Sequence, residues 1–130
     1  MMRKEPSPAA YWHYTLSDDF ELKAGKTDAD NDRLTFHEAG PSDLWFHVKG
    51  VPGSHVLLHP PQGQSPDKHI LLQAAGVAAW HSKARHGGRV AVCYAAIHQI
   101  SKERGAKAGS VSVKKSKTVQ VKPALPAPLE

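Results

Sequence analysis

The sequence predicts an α+β domain, a mixed or antiparallel sheet of short strands packed by one long helix and one short helix. Two patterns and one number lead there. Several short runs alternate apolar and polar residues between turn-forming residues, as half-buried strands do. One segment alone, 66–85, carries apolar residues at helical spacing. The length of 130 residues favours a single domain. A chain of this size buries about two thirds of its unfolded surface, so it folds without a disulfide or metal. The domain is expected over residues 11–122, after a disordered leader, 1–10, and before a proline-rich tail, 123–130.

The elements follow in order. Tyr11–Leu16 and Phe20–Lys23 flank Ser17-Asp18-Asp19, a hairpin turn. Asp28–Ala39 holds the short helix, with Leu34 and Phe36 as its apolar positions, and Gly40-Pro41-Ser42 breaks the chain. Leu44–Lys49 and His55–His59 form a second hairpin around Val51-Pro52-Gly53-Ser54, where Gly53 supplies a positive φ or a close backbone approach. Ser65 is the expected N-cap of the long helix, with Pro66 at its first position and Asp67 at the positive end of the dipole. Its stripe is Ile70, Ala74, Val77, Ala78, His81 and Ala84, and Gly87-Gly88 stops it near Arg85. Val90–Ala95 is the next strand, with Ala96–Ile100 as its continuation. After a basic loop, Val111–Lys114 and Lys117–Lys122 pair around Lys115-Ser116 as a third hairpin.

Charge separates along the chain. Residues 1–67 hold six Lys/Arg against ten Asp/Glu, a balance of −4, and residues 68–130 hold eleven against two, a balance of +9. One sign gathered in one half attracts a polyanion: RNA, DNA or an acidic protein. Cys93 is the only cysteine, which excludes an intramolecular disulfide and suits a reducing, cytoplasmic compartment. No apolar run approaches membrane-spanning length, so no membrane partner is expected.

The second hairpin is the richest segment chemically. On alternation, Leu44, Phe46 and Val48 share one face with Val56 and Leu58. Trp45, His47 and Lys49 share the other with His55 and His59. An indole, imidazoles and an ammonium on one open face suit unpaired bases and phosphates. In the alternative, a further layer covers this face, with Trp45 as core and the histidines hydrogen-bonded beneath it. A metal reading of His47, His55 and His59 is weak, since Cys93 lies in another run and no His-Glu-x-x-His motif occurs. No metal or cofactor is assigned.

Other strings fail on their spacing. Gly25-Lys26-Thr27 ends like a phosphate loop, but Phe20 stands where the first glycine belongs. Asp28–Asp32 begins like a calcium loop, but Arg33 and Ala39 occupy the glycine and glutamate positions. Ser54 and His55 point to opposite faces, so Ser54 reads as a solvated turn serine. Asp43 caps the start of a strand or holds a loop amide. His81 reads as a satisfied core histidine. Lys102, Arg104, Lys107, Lys114, Lys115 and Lys117, spaced by Gly105 and Gly109, fit a phosphate backbone or a charged sheet edge. Lys83, Arg85 and Arg89 present the same choice at the end of the long helix.

Strings in fixed order resemble the NFACT-R domain of fibronectin-binding-protein-like ribosome quality-control factors. They are Gly25-Lys26, Asn31-Asp32-x-Leu34-Thr35-Phe36, Asp43-Leu-Trp-Phe-His47 and Pro52-Gly-Ser-His-Val56. Ala74-Ala75-x-x-Ala78-Ala79-Trp-x-Ser82-Lys-Ala-Arg85 and Gly105-Ala-Lys-x-Gly109 follow. The resemblance runs from Tyr14 to Pro123. His81 stands where the family carries an aromatic, and Ala108 replaces a proline. The resemblance implies RNA binding in translation quality control or RNA modification, on tRNA, rRNA or the ribosome, with ribosomal or quality-control proteins as further partners. It implies a site drawn from Asp43, Trp45, His47, Gly53, Ser54, His55, Ser82, Lys83, Arg85, Lys107 and Gly109, to which the charge pattern adds Lys49 and Arg89.

Three functions therefore stand. The first is an RNA-binding module without catalysis of its own. The second is a metal-assisted or acid–base RNA-processing enzyme using Asp43, His47 and His55. The third is a module that docks an acidic protein partner.

Overall fold

A computed structural model describes residues 11–126. The expected leader and the last four residues of the tail lie outside the described residues.

Strands β1 (Tyr11–Thr15), β2 (Glu21–Gly25), β3 (Leu44–Val48), β4 (Val56–His59), β5 (Val90–Ala96) and β8 (Lys117–Val121) form one antiparallel sheet, ordered β1-β2-β4-β3-β5-β8. Two short strands, β6 (Ile100–Ser101) and β7 (Ser112–Val113), pair apart from it. The helices are α1, Asp28–Arg33 running on as a π-turn through Glu38, and α2, Lys68–Trp80. The α+β class is as the sequence predicts.

The first hairpin turns through Asp18 and Asp19, both at positive φ (58° and 65°), a conformation aspartate tolerates better than most residues. Helix α1 starts because the Thr27 hydroxyl accepts the Asp30 amide at 3.0 Å. Helix α2 starts two residues later than expected. The Asp67 carboxylate, rather than Ser65, accepts the Ile70 amide at 3.0 Å. It also ends earlier, at Trp80. Beyond it the chain bonds to the β3–β4 turn: the Ser54 amide donates to the His81 carbonyl (2.9 Å), and the Lys83 amide to the Pro52 carbonyl (3.0 Å). Those bonds outcompete a further helical turn.

Two cores result from strand alternation. Phe46, Val48, Val56, Leu58, Leu22 and Ala24 face Ile70, Ala74, Val77 and Ala78 of α2. The small residues let the helix lie close on the sheet, and the C-terminal segment crosses its outer side. There the Ala124 amide donates to the Gly76 carbonyl at 3.1 Å. On the opposite sheet face a second layer closes over Trp45, Ala95 and Ile100, with Phe36, Ile97, Val111 and Val113 against them.

That second layer corrects the expectation of an open aromatic face. Trp45 is 2% exposed and His55 is also 2% exposed. The third hairpin is corrected as well. β7 pairs with β6, and β8 pairs with β5, so the two runs around Lys115-Ser116 do not pair with each other. Ala96–Ile100 bends through a 3-10 turn instead of continuing β5.

Candidate nucleic-acid interface

The turn between β3 and β4 is tied down from both sides. Toward β2, the buried Ser54 hydroxyl donates to the Gly25 carbonyl at 2.5 Å, and the Gly25 amide donates to the His55 carbonyl at 3.1 Å. Ser54 is therefore not a solvated turn serine. Toward α2, Gly53 bridges to Ser82. Gly53 is not at positive φ. A Cβ there would lie 2.8 Å from the Ser82 Cβ, so glycine is required by the approach of the α2 segment. The Ser82 hydroxyl donates to the Ala79 carbonyl (2.7 Å) and accepts the Ala84 amide (3.1 Å), which fixes the turn after α2.

These ties bring Gly25-Lys26, Pro52-Gly53-Ser54 and Ser82–Arg85 to the rim and floor of one groove of about 320 Å³. Lys26 and Lys83 are exposed there. Arg85 is half-buried: its Nε donates to the Trp80 carbonyl at 2.7 Å, and its guanidinium lies 4.5 Å from the Trp80 ring centre. Asp28 is the acidic residue of the lining. Trp12, on edge strand β1, completes the wall. Its indole stacks on the His81 imidazole at 4.1 Å and 15°. The Tyr14 hydroxyl hydrogen-bonds His81 Nε2 at 2.7 Å. Burial, and then the Arg85 charge, push His81 down to about 4, so it is neutral at physiological pH. It is half-buried at the groove, not a core histidine.

His55 lies on the other side of the sheet. Its Nδ1 accepts the Thr35 hydroxyl (2.9 Å) while its Nε2 donates to the Gly109 carbonyl (3.1 Å), a pairing that neutral imidazole satisfies with the proton on Nε2. Burial, reinforced by His47 and Lys102, pushes it down to about 4. His47 is shifted down by burial as well, against hydrogen bonds with the Gly53 and Val48 backbone. Gly109 is held at φ +85°, its amide donating to Asp32 at 3.0 Å. Lys102 spends its ammonium on Asp32 (2.9 Å) and on the Lys107 and Ser110 carbonyls. The glycine-spaced loop is thus built around Lys102, and the Lys107 side chain stands exposed on it.

With this geometry in view, the sequence pattern of the family described as "NFACT protein RNA binding domain" matches residues 10–115. The chain belongs to the NFACT RNA-binding domain family. It is 33% identical over 121 residues to "Rqc2 homolog RqcH" of Bacillus subtilis, covering 93% of this chain and 21% of that protein. To the protein of the same name from Streptococcus suis it is 39% identical over 102 residues, covering 78% and 18%. The chain thus spans about a fifth of the length of these curated relatives. Among solved structures it is similar to the C-terminal part of the fibronectin/fibrinogen-binding protein from Streptococcus suis. The TM-score is 0.83 and the identity 34%, over 94% of this chain and 49% of that one.

Within this NFACT-R domain the expected site residues divide. Gly53, Ser54, Ser82, Lys83 and Arg85 meet at the groove. Gly109 borders it through Asp28, against which it packs, and Lys107 is exposed on the Lys102 loop rather than in the lining. Trp45 and His55 are sealed under the second layer. Asp43 is buried at the far end of β3, some four residues or roughly 13 Å along the strand from His47. There its carboxylate accepts the Gly40 amide (2.9 Å) and pairs with His59 Nδ1 (2.6 Å). It holds a loop amide, and the trio Asp43, His47 and His55 does not converge. Lys49 and Arg89 are exposed outside the groove, Arg89 reaching the Gln120 carbonyl at 3.5 Å. Trp12 and Lys26 were not among the expected site residues. The signal for Lys26 lay in the Gly25-Lys26 string. Trp12 had only its place in a strand. Among the described residues no group of three or more His, Cys, Asp or Glu is placed to hold a metal ion. No described helix is long and apolar enough to cross a membrane.

Proposed function

We propose that this domain is an RNA-binding module of translation quality control, which acts by binding and without catalysis of its own. The observation that carries the reading is the convergence of three family strings, distant in sequence, on one basic groove. Lys26, Lys83 and Arg85 supply cationic groups at its rim, while backbone and serine hydroxyls form its floor. Cations over a polar floor suit phosphates, which position an RNA without reading its sequence. Lys107 stands exposed on the Lys102 loop, while Lys114, Lys115 and Lys117 line a separate pocket with Leu44, Tyr94 and Gln99 and add positive charge away from the groove. RNA is thus the partner, with tRNA, rRNA or the ribosome as its source and the cytoplasm as its compartment. The names of the RqcH relatives support the quality-control setting.

The test is RNA affinity measured across salt concentrations. The logarithm of the association constant should fall linearly with the logarithm of salt, by roughly 0.7 per phosphate neutralised on a single strand. Lys26→Ala and Lys83→Ala should each weaken binding and flatten that slope by about one contact. A slope untouched by both substitutions would remove the groove from the reading.

A further inference from the structure

We propose that Trp12, backed by His81, is a base-stacking platform, so that the ligand class of the groove is RNA with an unpaired nucleotide rather than duplex. The inference rests on the RNA reading above and names which RNA that groove takes.

Four observations carry it. Trp12 is 38% exposed, whereas Trp45 is 2% exposed. Its indole is held in one orientation by the parallel imidazole of His81 at 4.1 Å, itself anchored by the Tyr14 hydroxyl. A platform fixed in advance loses little conformational freedom when a base settles on it. The support is neutral, because burial and Arg85 keep His81 unprotonated, so the stack is aromatic on aromatic. Finally, the cations stand beside the ring. Lys26 Nζ lies 5.4 Å from the indole centre, and Lys26 and Lys83 share the groove with Trp12. The lysine over an exposed indole is a weak contact in water, and an entering base displaces it toward its own phosphate. In a duplex the base faces are stacked on one another, out of reach of a ring on a sheet edge. The groove therefore selects a splayed nucleotide by its base face, and the lysines bind its phosphates.

The experiment compares wild type, Trp12→Ala and Trp12→Phe for binding a fluorescein-labelled 12-nucleotide single-stranded RNA and a duplex of the same sequence, with tryptophan emission followed in parallel. Trp12→Ala should lose about tenfold in affinity for the single strand and less than twofold for the duplex. Trp12→Phe should retain affinity within about threefold, since a ring remains. In wild type the single strand should quench tryptophan emission, and Trp12→Phe should remove most of that quenching. The other two indoles are the sealed Trp45 and Trp80 under Arg85. Equal losses for strand and duplex, or quenching that survives in Trp12→Phe, overturns the platform. If wild type still binds with a salt slope sensitive to Lys26 and Lys83, the phosphate groove survives that failure. If wild type binds neither RNA, groove and platform fall together.

Discussion

Two tryptophan–histidine constellations lie on opposite sides of one sheet, and they behave as opposites. Trp45 meets His47 and His55 at ring separations of 5.8 and 5.1 Å, under a lid built from Phe36, Ile97, Ile100, Val111 and Val113. Trp12 meets His81 at 4.1 Å with its indole partly in water. Residue type is the same and chemistry is not. In the first, both ring nitrogens of His55 are committed, to Thr35 and Gly109, so the imidazole welds the loop to the sheet. In the second, the imidazole props an indole that still has surface to offer. What decides between structure and recognition is the cover laid down by distant segments.

The largest contrast should appear in stability. Trp45→Ala should cost about 3–5 kcal/mol in urea-induced unfolding, because it opens a cavity in the smaller core. Its folded fraction should keep the ratio of single-strand to duplex affinity, which would separate a core residue from a stacking one. Acid should come next. His55 is held down at about 4, against an unfolded value near 6.5. A depressed histidine stabilises the fold fully above the unfolded value. That contribution then drains away as pH falls from 6.5 toward 4, to a total on the order of 3 kcal/mol. His81 pushes in the same direction. Unfolding midpoints measured at pH 7 and pH 4 should differ accordingly. In His55→Gln the acid loss should shrink, and an undiminished loss would assign it elsewhere.

Alternation made half of this architecture legible. Leu44, Phe46 and Val48 with Val56 and Leu58 do face α2, and the stripe Ile70, Ala74, Val77 and Ala78 does meet them. The second layer was not legible, because its apolar residues are scattered through turn-like segments with no period. Ile100 and Val113 come together only by the β6–β7 pairing across the Lys102 loop. Periodicity reports one element at a time, so it showed which side Trp45 points to and not what covers that side. The groove was half legible. Gly53, Ser54, Ser82, Lys83 and Arg85 were in the strings, whereas Trp12 became a wall only through the meeting of an edge strand with the turn after α2. The ends of α2 shifted because Asp67 reaches the first turn directly and the β3–β4 turn captures the chain after Trp80.

A smaller effect sharpens the comparison from the floor of the groove. In Gly53→Ala the new methyl would stand 2.8 Å from the Ser82 Cβ, with backbone behind it. The two segments must separate, at about 1–3 kcal/mol of stability. Because that contact aligns Lys83 with Lys26, RNA affinity should fall beyond what the loss of folded protein explains. Unchanged affinity per folded molecule would show that the groove tolerates the shift.

The smallest stability effect should belong to Trp12 itself. Trp12→Ala removes a large side chain from an edge strand where much of it already meets water, and it gives up chiefly the stack on His81. The cost should stay near 1 kcal/mol or below, several-fold less than for the tryptophan across the sheet. Urea unfolding of Trp12→Ala and Trp45→Ala under one condition reads this directly. A loss at Trp12 as large as at Trp45 would make both indoles core residues, and the contrast between the two faces would disappear. A small loss leaves an exposed, oriented indole that adds little to folding, as a platform for a base from outside the chain requires.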